Sequence, residues 1–146
     1  MKLSFGRSKL KSEKTILFVC VENAGRSQMA EGFFNKNAPE GYRAISAGTK
    51  PVSQINSVVI EVMKEVGIDI SNQKSKEITE DMMRNSFKTV NMGCMVKESC
   101  PTLFLPKLLD WNLEDPKGKS VEKVTELRDE IDQRVKELVA GLTTNQ

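Results

Sequence analysis

The chain contains no histidine. That absence removes Ser-His-Asp and Cys-His catalysis, imidazole-ligated zinc and the usual general base, so any acid or base here is a carboxylate, a lysine, a tyrosine or a thiol. Aromatic residues are sparse, with one Trp, one Tyr and six Phe. No apolar run approaches the roughly 18 residues of a membrane helix, and the opening MKLSFGRSKLKSEK lacks the apolar stretch of a signal peptide. Neither sign of charge dominates: 22 Lys+Arg against 20 Asp+Glu leave a net charge of +2, too weak a field to argue for a nucleic acid or a membrane. A small anionic ligand stays open. Cysteine is scarce as well, and three is an odd number in a chain of 146 residues that can hold itself together by packing. This is not the pattern of a secreted disulfide scaffold, so the expected location is cytoplasmic and the thiols read as chemistry.

What is present alternates between two periods. Residues 1–14 are basic and poor in apolar side chains, which predicts a flexible solvated tail before one domain over 15–142. Thr15-Ile16-Leu17-Phe18-Val19 is a continuous β-branched and apolar run, as expected of a strand buried on both faces of a parallel sheet, and it ends at Cys20. A polar turn follows, then Met29, Ala30, Phe33 and Phe34 at helical spacing. The alternation repeats. Tyr42 to Ala47 predicts a second strand, and Ile55, Val58, Val59, Val62, Met63 and Val66 a helix capped by Ser53 and stopped by Gly67. Ile78, Met82 and Met83 suggest a further helix, Phe87 to Met92 a third strand and Leu108 to Trp111 a fourth. Val121, Val124, Leu127, Ile131, Val135, Leu138 and Leu142 stripe a long final helix beginning after Ser120. Strands alternating with helices predict an α/β domain with a parallel sheet and right-handed crossovers.

In such sheets ligands sit beyond the carboxyl ends of strands, where Cys20 falls. The run Cys20-Val21-Glu22-Asn23-Ala24-Gly25-Arg26-Ser27 places five residues between the thiol and an arginine. Five residues can curl so that backbone N–H groups converge on one tetrahedral oxyanion, with the next helix adding its positive end. Those dipoles and the Ser27 hydroxyl favour a Cys20 thiolate, the nucleophilic form. Arg26 offers a planar fork to two substrate oxygens, and Asn23 and Gly25 tolerate the positive φ that a tight loop needs. A packed cysteine beside a surface arginine is the bland alternative.

The run from Ile16 to Gly32 resembles the phosphate loop of low-molecular-weight protein tyrosine phosphatases and of the arsenate reductases built on that fold. Ile45 to Gly48, Met63 to Asn72, Met92-Gly93-Cys94, Cys100-Pro101 and Asp110-Trp111 through Asp115-Pro116 extend the resemblance over about residues 15–142, and Val66 to Asn72 favours the reductase branch. It implies a four-stranded parallel sheet flanked by helices in a three-layer sandwich, no cofactor, and an arsenate or phosphate-like oxyanion held by residues Val21 to Ser27.

Asp115 precedes Pro116 in a Gly/Lys-containing stretch after the fourth predicted strand, where a carboxylate could protonate a leaving oxygen; a turn aspartate is the alternative, and Asp110 is a weaker rival. The family's Asp-Pro acid favours Asp115. Five residues also separate Cys94 from Cys100. Reduction of arsenate consumes three thiols, and the chain has three. By resemblance Cys94 attacks Cys20 and Cys100 takes over the disulfide, which thioredoxin or a similar reductant then opens; inert packing and a three-thiolate metal site are the alternatives. Arsenate reductase is therefore the expected activity, with a tyrosine phosphatase or a non-catalytic thiol sensor as rivals.

Some features depart from the family. Glu22 and Gly25 stand where Gly and Cys are common, Lys117 where a Tyr is common, and there is little aromatic material for a phosphotyrosine wall. Glu22 puts an acid at the mouth of an anion site, which should cost affinity unless it turns outward. Some thioredoxin-linked relatives bind potassium through residues matching Asn23, Glu31, Ser46 and an acid. Lys76 occupies the acid's place, so its ammonium is expected to stand in for the metal, an exposed helix-start lysine being the alternative.

Overall fold

The computed structural model describes residues 13–92 and 108–144. Strand β1 (Lys14–Cys20) is followed by helix α1 (Arg26–Lys36), β2 (Tyr42–Gly48), α2 (Ser57–Glu65), α3 (Glu80–Asn85), β3 (Lys88–Asn91), β4 (Leu108–Asp110) and α4 (Val121–Thr144). The four strands form one sheet in the order β2-β1-β3-β4, all pairs parallel. The chain leaves β1 for β2 on one side and returns to β3 on the other. The ends of β1 and β3 therefore flank the point where the strand order reverses, the usual crevice for a ligand.

β1 is central, and its side chains alternate between two cores. Ile16 and Phe18 pack with Met29, Phe33 and Phe34 of α1, Val59, Val62 and Met63 of α2, and Val124, Ile131 and Val135 of α4. Leu17 and Val19 face the other side with Ala47, Ile78, Met82 and Met83. Helices thus cover both faces in three layers, as anticipated. Phe18 meets Phe34 edge-on at 6.3 Å between ring centroids and Trp111 at 5.8 Å, locking the middle of β1 to α1 and the end of β4.

Several predicted boundaries move. Lys14 opens β1 instead of ending a tail, with its ammonium 4.9 Å from the centre of the Phe87 ring; residues 1–12 of the expected tail lie outside the described residues. The cap of α2 is Asn56, not Ser53: its side chain accepts from the Val58 and Val59 amides, and Ile55 stays in the preceding loop. Gly67 does stop that helix, at φ 82° with its N–H on Lys64 O. Thr79 caps α3, which leaves Ile78 outside it. Val121 begins α4 but stays exposed, while the stripe from Val124 onward is buried or partly buried.

Candidate active site

Cys20 ends β1 beside Gly48, the last residue of β2. A Cβ on Gly48 would lie 2.4 Å from Val21 O and 2.9 Å from Asn23 N, so only glycine lets β2 run so close to the loop that starts at Val21. The scaffold engages the loop's carbonyls one after another. Cys20 O accepts from Thr49 N (3.1 Å), Val21 O from Lys50 N (2.8 Å), Glu22 O from Val52 N (3.2 Å), Asn23 O from Gln28 Nε2 (2.9 Å) and Ala24 O from Asn56 N (2.9 Å). In a planar trans peptide the C=O and the following N–H point in opposite directions. The amides of Glu22, Asn23, Ala24 and Gly25 therefore face away from these partners, and that of Asn23 donates to Cys20 Sγ at 3.2 Å. Asn23 reaches this geometry at φ 52°, the positive value its residue type tolerates. Helix α1 starts at Arg26 with no side-chain cap, which leaves its first-turn N–H groups to a ligand.

A chain of hydrogen bonds runs from the Lys76 amide through Asn23 to Ser27. The Lys76 amide can only donate, and it meets Asn23 Oδ1 at 2.8 Å. Asn23 Nδ2 must then be the group that donates to Ser27 Oγ (2.7 Å) and Ser46 Oγ (3.0 Å). Ser46 passes its proton to Glu31 Oε1 at 2.5 Å. Ser27 Oγ, which accepts from Asn23, lies 2.8 Å from Cys20 Sγ with its own proton available to the sulfur. The Asn23 amide and the Ser27 hydroxyl thus both stand against the sulfur of the buried Cys20.

Arg26 is buried, and its NH1 donates to two backbone carbonyls, Met92 O just after β3 (3.2 Å) and Leu113 O beyond β4 (2.9 Å). The opposite edge faces the candidate site: NH2 lies 3.6 Å from Asp115 Oδ2, and Nε is buried with no acceptor among the described residues. An unmatched buried donor is costly unless a ligand completes it. The Nε–NH2 edge is the fork expected of an oxyanion clamp. A cavity of about 290 Å³ opens here between Cys20, Gly25, Arg26 and Asp115, with no aromatic side chain in its lining among the described residues.

Asp115 stands at the rim of this cavity, its Oδ1 accepting from Lys117 N at 3.0 Å. Asp110 instead accepts from Asn91 Nδ2 at 3.0 Å and takes no part in the lining. The Glu22 carboxylate meets Lys117 Nζ at 2.9 Å on the rim, which resolves the apparent conflict of an acid beside an anion site. Lys76 Nζ donates to Lys74 O at 2.8 Å and lies 3.9 Å from Glu31 Oε1; burial pushes its pKa down against the opposing pull of Glu31. Cys94 and Cys100 lie outside the described residues. Sequence reasoning missed Gln28, a fully buried amide that also donates to Lys74 O and accepts from Gln73 Nε2. A polar residue beside Met29 and Ala30 on the buried side of α1 was the available signal. Among the described residues no group of three or more His, Cys, Asp or Glu could hold a metal ion, and no helix is long and apolar enough to cross a membrane.

Residues 15–146 match the low molecular weight phosphotyrosine protein phosphatase family. The chain is a member of that family. Arsenate reductase 2 of Staphylococcus saprophyticus is 40% identical over 128 residues, 86% of this chain and 95% of the relative. A structure of an arsenate reductase in the phosphate binding state superimposes with a TM-score of 0.78 at 34% identity, covering 88% of this chain and 98% of that one. The thioredoxin-dependent arsenate reductase of Corynebacterium glutamicum gives 0.78 at 32% identity over 98% of this chain and 74% of its own. An arginine phosphatase of Geobacillus stearothermophilus gives 0.83 at 25% identity over 91% and 95%. The low-molecular-weight phosphatase fold thus hosts both chemistries among the chain's neighbours.

Proposed function

We propose that the protein is an arsenate reductase of the cytoplasm that draws electrons from thioredoxin or a similar dithiol protein. The observation that carries this reading is the cup itself: one cavity is lined by the buried Cys20, with Asn23 N and Ser27 Oγ against its sulfur, and by Arg26, whose Nε has no acceptor among the described residues. The amides of Val21 to Ser27 and the Arg26 fork hold the tetrahedral oxyanion. Cys20 Sγ bonds to arsenic while one oxygen leaves as water on a proton from Asp115. Cys94 then attacks Cys20 Sγ: a disulfide forms, the sulfur–arsenic bond breaks with its electron pair on arsenic, and arsenite departs. Cys100 attacks Cys94 and frees the Cys20 thiolate, and the external dithiol reduces the Cys94–Cys100 disulfide. The arsenate reductases among the similar proteins and the chain's three thiols favour this route.

The family's phosphatase chemistry is the second reading. It needs only Cys20, Arg26 and Asp115, with water releasing a phosphocysteine. Comparing wild type with Cys94→Ser and Cys100→Ser separates the two. The reductase loses thioredoxin-driven arsenate reduction in both variants and keeps any nitrophenyl phosphate hydrolysis; undiminished arsenate reduction in either variant overturns the relay. In the same reading the Lys76 ammonium takes the place of potassium, so activity in sodium buffer is unchanged on adding potassium, and a several-fold rise refutes that role.

A further inference from the structure

The acid-bearing stretch after β4 rests on the oxyanion loop through two contacts that the proposed chemistry does not use. Pro116 is buried although its neighbours Asp115 and Lys117 are exposed, so this ring is the anchor of the stretch. It sits where Gly25 has no side chain: a Cβ there would lie 2.6 Å from Pro116 Cγ and 3.4 Å from Pro116 Cδ. Glycine at position 25 thus makes the room that the Pro116 ring occupies. On the other side of the anchor Lys117 Nζ reaches Glu22 Oε2 at 2.9 Å, joining residues far apart in sequence across the rim of the cavity. The Lys117 amide simultaneously donates to Asp115 Oδ1 at 3.0 Å. One residue therefore ties the oxyanion loop with its side chain and the acid with its backbone.

We propose that Glu22, Gly25 and Lys117 are positioning residues: they form a clasp that holds Asp115 over the cup before substrate arrives. The proposal rests on Asp115 being the acid. The clasp supplies no group to the reaction; it fixes the rotamer and height of the rim carboxylate that lies 3.6 Å from Arg26 NH2. The raised pKa of Lys117, caused chiefly by its hydrogen bond to Glu22, agrees with a persistent pair.

The test uses the full-length protein. Hydrogen exchange of the Lys117 amide reads the clasp directly, and hydrolysis of phenyl phosphate against nitrophenyl phosphate reads the acid, because the poorer leaving group depends more on a proton donor. Gly25→Ala, Glu22→Gln and Lys117→Met each accelerate that exchange about threefold or more; Lys117→Arg stays near wild type, and the Glu22→Gln/Lys117→Met double variant is no worse than its worse single parent. In step with exchange, the phenyl-to-nitrophenyl rate ratio falls about five- to tenfold in the three disruptive variants. Unchanged exchange, or additive losses in the double variant, overturns the clasp. Asp115→Asn is the control for the underlying reading: if it leaves the rate ratio untouched, Asp115 is not the acid and the exchange data alone decide whether the clasp exists.

Discussion

Ser27 accepts from the side-chain amide of Asn23 and stands within hydrogen-bond reach of Cys20 Sγ. Removing that hydroxyl takes away a hydrogen-bond partner of the sulfur, worth about 1.5 kcal/mol to a thiolate. Ser27→Ala is accordingly expected to slow alkylation of Cys20 by iodoacetamide about tenfold near pH 6, where the rate follows the thiolate fraction. An unchanged rate means that the serine merely packs. At this scale the sequence was informative where chemistry is local. Cys20, Arg26 and Ser27 share one strand-to-helix junction, and the positive φ anticipated at Asn23 is present. It was silent where partners are distant. Nothing in a string of letters links Lys117 to Glu22, or aims Arg26 NH1 at the carbonyls of Met92 and Leu113, since those pairings exist only once separate loops have been brought to one end of the sheet.

Elements meet the site through close contacts that leave no slack. The Cβ of Gly48→Ala would strike the backbone of Val21 and Asn23, atoms that cannot swing aside as a flexible side chain can. Overpacking of this kind costs about 1–3 kcal/mol, and here it spreads the loop itself, so both the urea midpoint and Cys20 alkylation fall. Intact reactivity at lowered stability contradicts the coupling. Between β4 and α4, a hydrogen bond from Lys119 first, then the charges of Lys123 and Lys119, lower the pKa of Glu114 from its ordinary 4.5. A carboxyl depressed in the folded state contributes stability that is whole above about pH 4.5 and is lost as pH falls through the folded value. The stability gap between wild type and Glu114→Gln, from denaturation curves at several pH values, should close on acidification and shrink in high salt; a constant gap refutes the pairing. Strand positions were readable because apolar β-branched runs have few alternatives. The start of α2 was not, because Ser53 and Asn56 are both competent caps. The choice fell to Asn56, whose amide also binds Ala24 O.

For the molecule as a whole, a cup that binds an oxyanion only when folded must raise the melting temperature with ligand concentration. At about 100 times Kd the gain is about 2.7 kcal/mol, which for a domain of this size is several degrees. Arsenate, phosphate or sulfate should each produce the shift in wild type, and Arg26→Lys, which has no fork, should abolish most of it. A melting point indifferent to all three anions counts against the cup.

The carbonyls from Cys20 to Ala24 are all held by the surrounding scaffold. A receptor whose backbone is so completely braced has no spare motion with which to measure its guest, and so it tests only shape and charge, which arsenate and phosphate share. On the proposed reading phosphate then competes with arsenate for the pocket. Selection has to happen after binding, through the ease with which arsenic(V) accepts an electron pair and phosphorus(V) does not.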